Sequence, residues 1–396
     1  MKTQFYDLII LGAGFTGKIL ALCLANRGID VCLVDRNKTF KSIIDKRTTA
    51  ISKGSTLILE EIGAWKELKK DAQKIEKIIV SEGISENHLK FNSSLANSDS
   101  MGYIVENSLF KKLLEKLIKK NTRIKKENNF DVINLDLPTG ENDKVILKTK
   151  DRSLSCNLLI GADGRYSKTR FHAEISYYFH DYKQSAYIFN LEHEKPHLST
   201  ALERFFPSGP LAILPMKSKN SNQSSVVWTV ENKLGDMSKF KKKQFIFEFN
   251  KKYKNFFGKI IDISKPTKFN LNIFSCYNCY NNGVVLVGDA CQSLHPIAGQ
   301  GFNLGLRDVN SLSKLLYEAK TLGMDFNELI LQKYSNKRAI DKFLLTQATH
   351  NLNRLFSIKG KTVSLLRSFG LNLFNRSALL KKQSILYAMG LKSFEI

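Results

Sequence analysis

Apolar runs near the start of the chain alternate with a segment whose apolar residues recur at helical spacing. Residues 6–11 predict a buried parallel strand, and the pattern after them predicts a helix that reaches Asn26. Gly28 stands where a helix commonly ends. Residues 31–34 predict a second strand, which Asp35 closes. A strand, a helix and a strand in this order indicate a parallel α/β layer.

An amphipathic pattern follows at residues 109–120. Leu109, Leu113 and Leu117 fall on one face and lysines on the other, so we predict a helix, with Asn107 or Ser108 as its cap. Strands are predicted within residues 75–95, at 145–148 and at 154–160.

The pattern changes between residues 177 and 276. Strand-like segments alternate with polar turns there, at 185–191, 211–215 and 226–230, and they predict a separate, mostly β layer. An apolar run at 284–287 returns to the parallel-strand pattern, and the chain after Gly305 reads as helical.

Length and charge narrow the class of protein. The chain has 396 residues, which favours two domains or a large interleaved pair, and 43% hydrophobic residues indicate a globular protein. The net charge of +24 has two interpretations, an anionic partner or the codon bias of an AT-rich genome. No basic run is interleaved with aromatic residues as in a nucleic-acid module, so we predict no nucleic-acid partner.

The six cysteines are scattered, which favours buried free thiols in a reducing compartment. Cys276 and Cys279 form one Cys-x-x-Cys pair. Such a pair is either a metal-binding or redox motif or simply two positions on a strand. Without a second pair or a nearby histidine we favour the strand and predict no metal site.

Targeting segments are not apparent. The first apolar run is short and begins almost at the N-terminus, and no apolar stretch reaches the roughly 20 residues that a membrane span needs. The expected location is therefore cytoplasmic, either soluble or peripheral at the inner face of the membrane.

The glycine pattern of Gly12, Gly14 and Gly17 lies between the first strand and helix. It nearly fits a P-loop, but Ile19 stands where Ser or Thr would hold magnesium. In a dinucleotide fold, Gly12 allows the tight turn, Gly14 lets the backbone approach a pyrophosphate, and Gly17 lets the helix pack closely on the strand. Asp35 can then bind a ribose. We favour the dinucleotide fold; a glycine turn without a ligand is the remaining alternative.

Glycines also concentrate at residues 288–308, between a strand and a helix. Gly299, Gly301 and Gly305 fall within seven residues, which suggests backbone pressed against something flat or charged. Arg47 could reach a phosphate, or it could be a solvated residue at the start of a helix. Asp163 and Gly164, taken by themselves, indicate only a surface turn.

The tail from Lys359 onward carries seven basic residues against one acid, Glu395, with leucines and phenylalanines between them. Such a tail can lie on anionic lipid or pack as an ordinary helix on the domain, and the sequence favours neither.

Taken together, these motifs resemble the ubiquinone-biosynthesis hydroxylase family (UbiH/UbiF-like), which are single-component FAD-dependent aromatic monooxygenases. The glycine motif, the turn at Asp163 and the stretch from Gly288 come in the order and at the separations of that family. The stretch 294–308 is the most specific part of the match. Supporting segments are 47–50, 102–107, 181–184, 203–205, 209–215, 348–349 and 355–357.

The resemblance implies a fold class and a domain plan. The fold is α/β: a Rossmann-like FAD-binding domain interleaved with a mostly β substrate domain, and a helical C-terminal region. The expected boundaries are 1–74, 102–175 and 280–325 for the FAD-binding domain, 75–101 and 176–279 for the substrate-binding β-sheet domain, and 326–396 for the helical region.

The resemblance also implies site residues. FAD would be bound by a set that holds its pyrophosphate, riboses, ribityl chain and ring: Gly12, Gly14, Gly17, Asp35, Arg36, Arg47, Asn107, Asp163, Gly164, Gly288, Asp289, Pro296, Gly299, Gln300, Gly301 and Asn303. Asn107 stands where relatives often carry Arg or Gln. The substrate side would include Arg204, Pro215, His295 and Pro296, although Arg204 also reads as an outward-facing strand residue. No catalytic side chain is assigned.

The chemistry implied by the resemblance is carried by the cofactor. NADH or NADPH, binding transiently, would reduce FAD, oxygen would form a flavin C4a-hydroperoxide, and one oxygen atom would pass to a prenylated phenol. Other ubiquinone-biosynthesis proteins and a membrane surface are further expected partners. Alternatives are a flavoprotein hydroxylase of a soluble phenol, a lipid-chain reductase and, remotely, a basic nucleic-acid-binding protein.

Overall fold

The structure is a computed structural model that describes residues 3–37, 45–85, 88–140, 143–358 and 360–392. Its helices are α1 (Phe15–Asn26), α2 (Lys53–Glu61), α3 (Trp65–Leu68), α4 (Asn107–Lys120), α5 (Lys168–His172), α6 (Lys242–Tyr253), α7 (Gln300–Thr321), α8 (Glu328–Ser357), α9 (Lys361–Arg376) and α10 (Ala378–Ala388). The mixed α/β class and the helical C-terminal region confirm the predicted fold class.

The strands follow in chain order. They are β1 (Gln4–Leu11), β2 (Val31–Asp35), β3 (Thr48–Ser52), β4 (Gln73–Ile75), β5 (Lys77–Glu82), β6 (His88–Asn92), β7 (Gly102–Glu106), β8 (Ile124–Asn128), β9 (Asn134–Asp136), β10 (Val145–Lys148), β11 (Ser153–Gly161), β12 (Tyr177–His193), β13 (Thr200–Phe206), β14 (Gly209–Met216), β15 (Gln223–Glu231), β16 (Ile260–Ile263), β17 (Thr267–Cys276), β18 (Tyr280–Asn281), β19 (Val284–Leu286) and β20 (Gln292–Ser293).

One sheet has β1 at its centre, in the order β18-β19-β11-β1-β2-β8. From β19 to β8 its strands run parallel, and the short antiparallel strands β10 and β9 extend it beside β11. Leu8, Ile9 and Ile10 are fully buried, as a parallel strand covered on both faces requires. The predicted strand–helix–strand unit is present, and Gly28 adopts the left-handed conformation just after α1.

A second sheet, in the order β20-β17-β12-β15-β14-β13-β5-β6 with β16 beside β12, forms the predicted β layer. One of its faces is covered by α6, where Phe245 and Phe249 pack against Phe189 and Trp228. The other face is therefore the one available to a ligand.

A third, small sheet has the strand order β3-β7-β4. It carries Ser52 to the start of α7, where its backbone amide donates to the side-chain oxygen of Asn303 (2.8 Å). The small sheet is thus hydrogen-bonded to the start of the helix that follows the later glycine stretch.

The helix α4 shows one departure from the predicted pattern. It begins at Asn107, and Glu106 occupies the cap position without a side-chain cap hydrogen bond, so neither Asn107 nor Ser108 is the cap. Its buried face contains Phe110 and Leu113, whereas Leu109 is 41% exposed. A shift of one residue rotates a helix by about 100°, which is enough to move Leu109 off the buried face.

The C-terminal helices pack onto the rest of the chain. Ile385 and Met389 are buried against Ile75 and Met101, and the amide of Gly54 donates to the carbonyl oxygen of Met389 (2.7 Å). Packing is therefore one role of the basic tail. Lys359 and Glu395 lie outside the described residues.

Within the described ranges, no helix has the length and apolar character to cross a membrane.

Candidate cofactor and substrate site

The turn after β1 is built so that only glycine fits at two of its positions. Gly12 has φ +110°, and a Cβ there would lie 2.4 Å from the carbonyl oxygen of Ala162. A Cβ on Gly17 would lie 1.9 Å from the carbonyl oxygen of Gly12. These two glycines bring β1, α1 and the end of β11 together, as the dinucleotide fold requires.

Gly14 differs from both, because a Cβ there would have no atom within 4 Å. It occupies the cap position of α1, where the first backbone N–H groups of the helix point outward. The N-terminus of α1 therefore faces open space, which is the arrangement that binds a phosphate group.

Asp35 lies where the prediction places it, at the end of β2. One carboxylate oxygen accepts from the amide of Ala13 (2.9 Å) and the other from the amide and side chain of Asn37. Asp35 therefore also fixes the glycine turn. Arg36, next to it, is exposed.

A charged cluster lies where β3 meets α4. Arg47 pairs with the buried carboxylate of Asp45 (Nε to Oδ1, 2.7 Å), and Lys111 reaches the other oxygen (2.6 Å). These partners lower the pKa of Asp45 despite its burial. The amide of Asn107 binds Asp45 and also accepts from the Thr49 hydroxyl (2.6 Å). Arg47 and Asn107 thus come together, although both are engaged with Asp45.

Asp163 follows β11 and organises the turn around it. Its carboxylate accepts from the hydroxyl of Ser167 (2.6 Å) and from the amide (3.0 Å) and hydroxyl of Thr169 at the start of α5. Gly164 has φ +82° and no atom within 4 Å of a would-be Cβ, so its backbone borders open space.

The turn after β19 holds the next predicted residues. Gly288 has φ +59°, and its Cβ would lie 3.0 Å from Thr16, while a Cβ on Gly305 would lie 3.2 Å from Gly288 itself. The turn after β19 therefore packs closely against α1 and α7, and glycine at positions 288 and 305 makes this close approach possible.

Asp289 projects from this turn into a cleft. Its side chain is solvent-accessible, and no hydrogen bond or ion pair involves its carboxylate within the described part of the chain. Protein atoms nevertheless surround the cleft, and this partial desolvation, offset by Arg165, raises the pKa of Asp289. A carboxylate left without a partner in a cleft can accept hydrogen bonds from the hydroxyl groups of a ligand.

The start of α7 is fixed by Asn303. Its side-chain oxygen accepts from the Ser52 amide and the Ser55 hydroxyl, and its nitrogen donates to the carbonyl oxygens of Ala50 and Gly299. Asn303 is therefore occupied by the protein. Gly299 has φ +60° at the helix start, and Gly301 has no atom within 4 Å of a would-be Cβ, so the backbone at Gly301 is free to face a ligand.

A cavity of about 780 Å³ opens beside this turn. Its walls are one face of β5, β6 and β13, the residues Ile297, Gly299 and Gln300, and side chains of α8, α9 and α10. The walls are mostly aliphatic and aromatic, so the cavity suits a large apolar ligand.

Alternation along β13 decides which of its side chains reach the cavity. Ala201, Glu203 and Phe205 line it, whereas Arg204 points to the opposite face. There the Arg204 guanidinium donates to the carbonyl oxygens of Lys252 and Tyr253 at the end of α6 (2.6 and 2.8 Å). Arg204 is thus not brought to the cavity; its neighbour Glu203 is.

The other predicted substrate residues lie at or beyond the edge of the cavity. Pro215 is buried within β14, and Pro296 is half-buried directly before Ile297. His295 is fully buried, with Nε2 3.2 Å from the Gln184 side-chain oxygen and its ring against Tyr182. Burial and the nearby His350 lower the pKa of His295 to about 3, so the ring is neutral near pH 7.

Sequence reasoning missed several residues that support this site. Asp308 binds the amide of Gly288, and Arg170 donates to the carbonyl oxygen of Ala290 (2.7 Å). Both act through backbone groups far away in the sequence, and no local motif signals such bonds. Glu203 could have been noticed as a carboxylate within a strand-like segment.

The cysteine pair does not lie on one strand. Cys276 ends β17, whereas Cys279 lies beyond it with its sulfur 3.1 Å from Cys291 and 2.7 Å from the Lys342 ammonium. All three thiols are buried. Within the ranges given above, no group of three or more His, Cys, Asp or Glu is arranged to hold a metal ion.

The chain is similar to known flavoproteins in sequence and in fold. The FAD binding domain family matches residues 6–346. Ubiquinone hydroxylase UbiL of Rhodospirillum rubrum is 32% identical over 390 residues, covering 97% of this chain and 89% of the relative. The 3-demethoxyubiquinol 3-hydroxylase of Escherichia coli is 27% identical over 406 residues, covering 99% of this chain and all of the relative.

Solved structures share the fold. A p-nitrophenol 4-monooxygenase of Pseudomonas putida superposes with a TM-score of 0.82 at 14% identity, and the match covers both chains completely. HpxO of Klebsiella pneumoniae, solved with FAD, gives a TM-score of 0.75 at 15% identity over 96% of this chain and 98% of that one.

Proposed function

The chain belongs to the FAD-binding domain family and is an FAD-dependent monooxygenase, and from this premise we propose that it hydroxylates the aromatic ring of a polyprenyl-phenol in ubiquinone biosynthesis. The observation that carries the choice of substrate is the apolar cavity of about 780 Å³ beside the turn at Gly299. A soluble phenol would leave most of such a cavity unfilled, whereas a ring with a prenyl chain would bury its apolar surface there.

In this proposal the residues of the two glycine turns would hold FAD. Its pyrophosphate would be bound by the N–H groups at Gly14, its adenosine ribose by Asp35, and its ribityl chain by Asp289. Arg47 would give up part of its ion pair with Asp45 and contact the cofactor instead. When bound, reduced FAD supplies the activation of oxygen that a phenol ring needs.

The residues of this chain would then position the ring and exclude water. The N-terminal end of α7, which begins at Gln300, carries a partial positive charge that favours the anionic reduced flavin. Asn303, with all four of its hydrogen bonds made inside the protein, would hold this end rigid. Ile297 and Phe205 would form the apolar boundary between the flavin edge and the substrate.

NADH or NADPH would act as a transient reductant. The proposed site for its approach is the turn at Gly164, where backbone borders open space.

A peripheral position at the membrane would supply such a substrate. Among the described side chains from α9 onward, four leucines are exposed, between 44% and 66%: Leu373, Leu379, Leu380 and Leu391. Lysines stand among them in the sequence, as anionic lipid surfaces favour. Arg367, by contrast, is buried and paired with Glu82, so it belongs to the fold and not to this surface.

Deletion of the gene followed by lipid profiling tests the substrate. The proposal expects a smaller quinone pool and an accumulated prenyl-phenol, both reversed by the wild-type gene and not by a gene encoding Asp289→Ala. An unchanged quinone pool without an accumulated prenyl-phenol would refute the substrate while leaving the enzyme class intact.

A further inference from the structure

Glu203 is a carboxylic acid in the wall of an otherwise apolar cavity. It is 7% exposed, and its neighbours on the same face of β13 are Ala201 and Phe205. The adjacent strands place Val80 and Ala212 beside it. Transferring a carboxylate into such surroundings costs several kcal/mol unless a partner compensates.

No such partner exists among the residues that the structure describes. No hydrogen bond or ion pair joins the Glu203 carboxylate to them. The other charged side chain of the cavity wall, Arg367, donates to Glu82 (Nε to Oε1, 2.9 Å) and to the carbonyl oxygens of Leu355 and Ile358. Burial alone, without a neighbouring charge, raises the pKa of Glu203 to about 8. Buried polar groups are nearly always paired, so the missing partner is expected to come from a ligand.

We propose that Glu203 is the residue that receives the ring hydroxyl of the phenol substrate. The inference rests on the proposed function, since a prenylated phenol brings one hydrogen-bond donor into a cavity that otherwise offers apolar contact. The hydroxyl would donate to a carboxylate oxygen of Glu203 and orient the ring, while Phe205 and Ile297 would contact its apolar faces.

The same contact has a chemical consequence. If the hydroxyl transfers its proton, the phenol O–H bond breaks, an O–H bond forms on Glu203, and the electron pair remains on the ring oxygen. A phenolate ring is richer in electrons and reacts more readily with an electrophilic oxygen atom. A carboxyl group with its pKa near the working pH is suited to accept such a proton and to return it afterwards.

A pair of probes that differ in one donor tests this contact. Binding of 2-geranylphenol and of its methyl ether, 2-geranylanisole, is measured on the flavin-loaded enzyme by the change in flavin absorbance. We expect the wild type to prefer the phenol. In Glu203→Leu the phenol should bind about tenfold more weakly or worse, with the ether unchanged, because one hydrogen bond to a buried acid is lost.

Glu203→Gln separates orientation from proton transfer. Its amide oxygen can still accept the hydroxyl, so phenol binding should largely survive, whereas the rise of kcat/KM with pH through the pKa of Glu203 should disappear. Glu192→Gln, a carboxylate on β12 away from the cavity wall, is the matched control and should behave as wild type.

Three results would overturn the assignment: no preference for the phenol in the wild type, unchanged phenol binding in Glu203→Leu, or equal weakening of both probes in that variant. A wild type that prefers the phenol through Glu203 and yet forms no hydroxylated product would support the contact and refute the proposed reaction.

Discussion

Asp308 on α7 accepts a hydrogen bond from the backbone amide of Gly288, which lies 20 positions earlier and 3.0 Å away. The other oxygen of the same carboxylate accepts from Nε of Arg338 (2.8 Å), and all of these groups are buried. The turn that presents Asp289 is thus anchored to α7 and α8 through one side chain.

Replacing this anchor should weaken both the fold and the cofactor turn. Asp308→Asn removes the negative charge that faces the buried guanidinium of Arg338 and one of the two acceptor oxygens, so we expect a loss of about 3 kcal/mol in the free energy of unfolding. Denaturant unfolding followed by fluorescence measures it. Asp30→Asn, in an exposed ion pair with Arg123, is the control and should change the free energy by less than about 1 kcal/mol. Equal losses in the two variants would contradict the anchor.

Asp289→Ala should lose FAD without losing the fold, because no hydrogen bond or ion pair of the described residues involves the Asp289 carboxylate. The ratio of flavin to protein absorbance reports the first effect, and the melting temperature of the apoprotein reports the second. Asp163→Ala is the informative contrast. It removes bonds to Ser167 and Thr169 at the start of α5 and should destabilise the protein by about 1 kcal/mol. Normal flavin content in Asp289→Ala would contradict the proposed ribityl contact.

Gly14→Ala and Gly17→Ala should differ, although both add one methyl group to the same turn. The new Cβ at Gly17 would lie 1.9 Å from a carbonyl oxygen, so little folded protein is expected. The Cβ at Gly14 meets no protein atom within 4 Å, so this variant should fold normally and bind FAD more weakly. Soluble yield and circular dichroism assess folding, and titration with FAD assesses affinity. Unchanged FAD affinity in Gly14→Ala would argue against a phosphate at this position.

His295 should make the protein sensitive to acid. Burial lowers its pKa to about 3, so the unfolded chain binds a proton near its ordinary pKa while the folded chain does not. Stability should therefore fall as the pH drops below about 6.5, by up to about 1.4 kcal/mol per pH unit from this residue. His295→Gln should show a shallower decline of the free energy of unfolding between about pH 6 and 4. The control is His172→Gln, and identical slopes in all three proteins would exclude His295 as a source.

Exposed leucines of α10 should contribute to membrane binding if the C-terminal region meets lipid. The double variant Leu379→Ser, Leu380→Ser should sediment less with anionic vesicles than wild type does, because it loses apolar surface at the contact. Leu329→Ser, an exposed leucine at the start of α8, is the matched control. Equal sedimentation of the double variant and wild type would leave α10 with a packing role alone.

The sequence predicted the parallel sheet well, because its signals are local. A glycine turn, a helix of the expected length and an acid at the end of the next strand all lie within residues 6–35, and the structure has them at β1, α1 and β2. The stretch from Gly288 was recognisable for the same reason. Glycine is needed at positions 288 and 305 because the backbones approach closely there, and this requirement is visible in the sequence as a concentration of glycines.

The face of a strand is harder to read. The segment 203–205 was identified, but Arg204 was chosen for the substrate side and Glu203 was passed over. A guanidinium and a carboxylate in adjacent positions are equally plausible ligands, and only the packing of α6 on one side of the sheet decides between them. Leu109 was wrongly placed on the buried face of α4 for a related reason, since Leu109 and Phe110 differ in burial only because of what surrounds the helix.

The walls of the cavity come from distant parts of the chain, from Ala50 near one end to Met389 near the other. During synthesis the strands around the glycine turns leave the ribosome long before α9 and α10 do. Until they emerge, the cavity lacks the part of its wall that Val363, Arg367, Phe374 and Ile385 supply. A chain cut short before these helices would keep the residues of both glycine turns and lack this side of the reaction chamber.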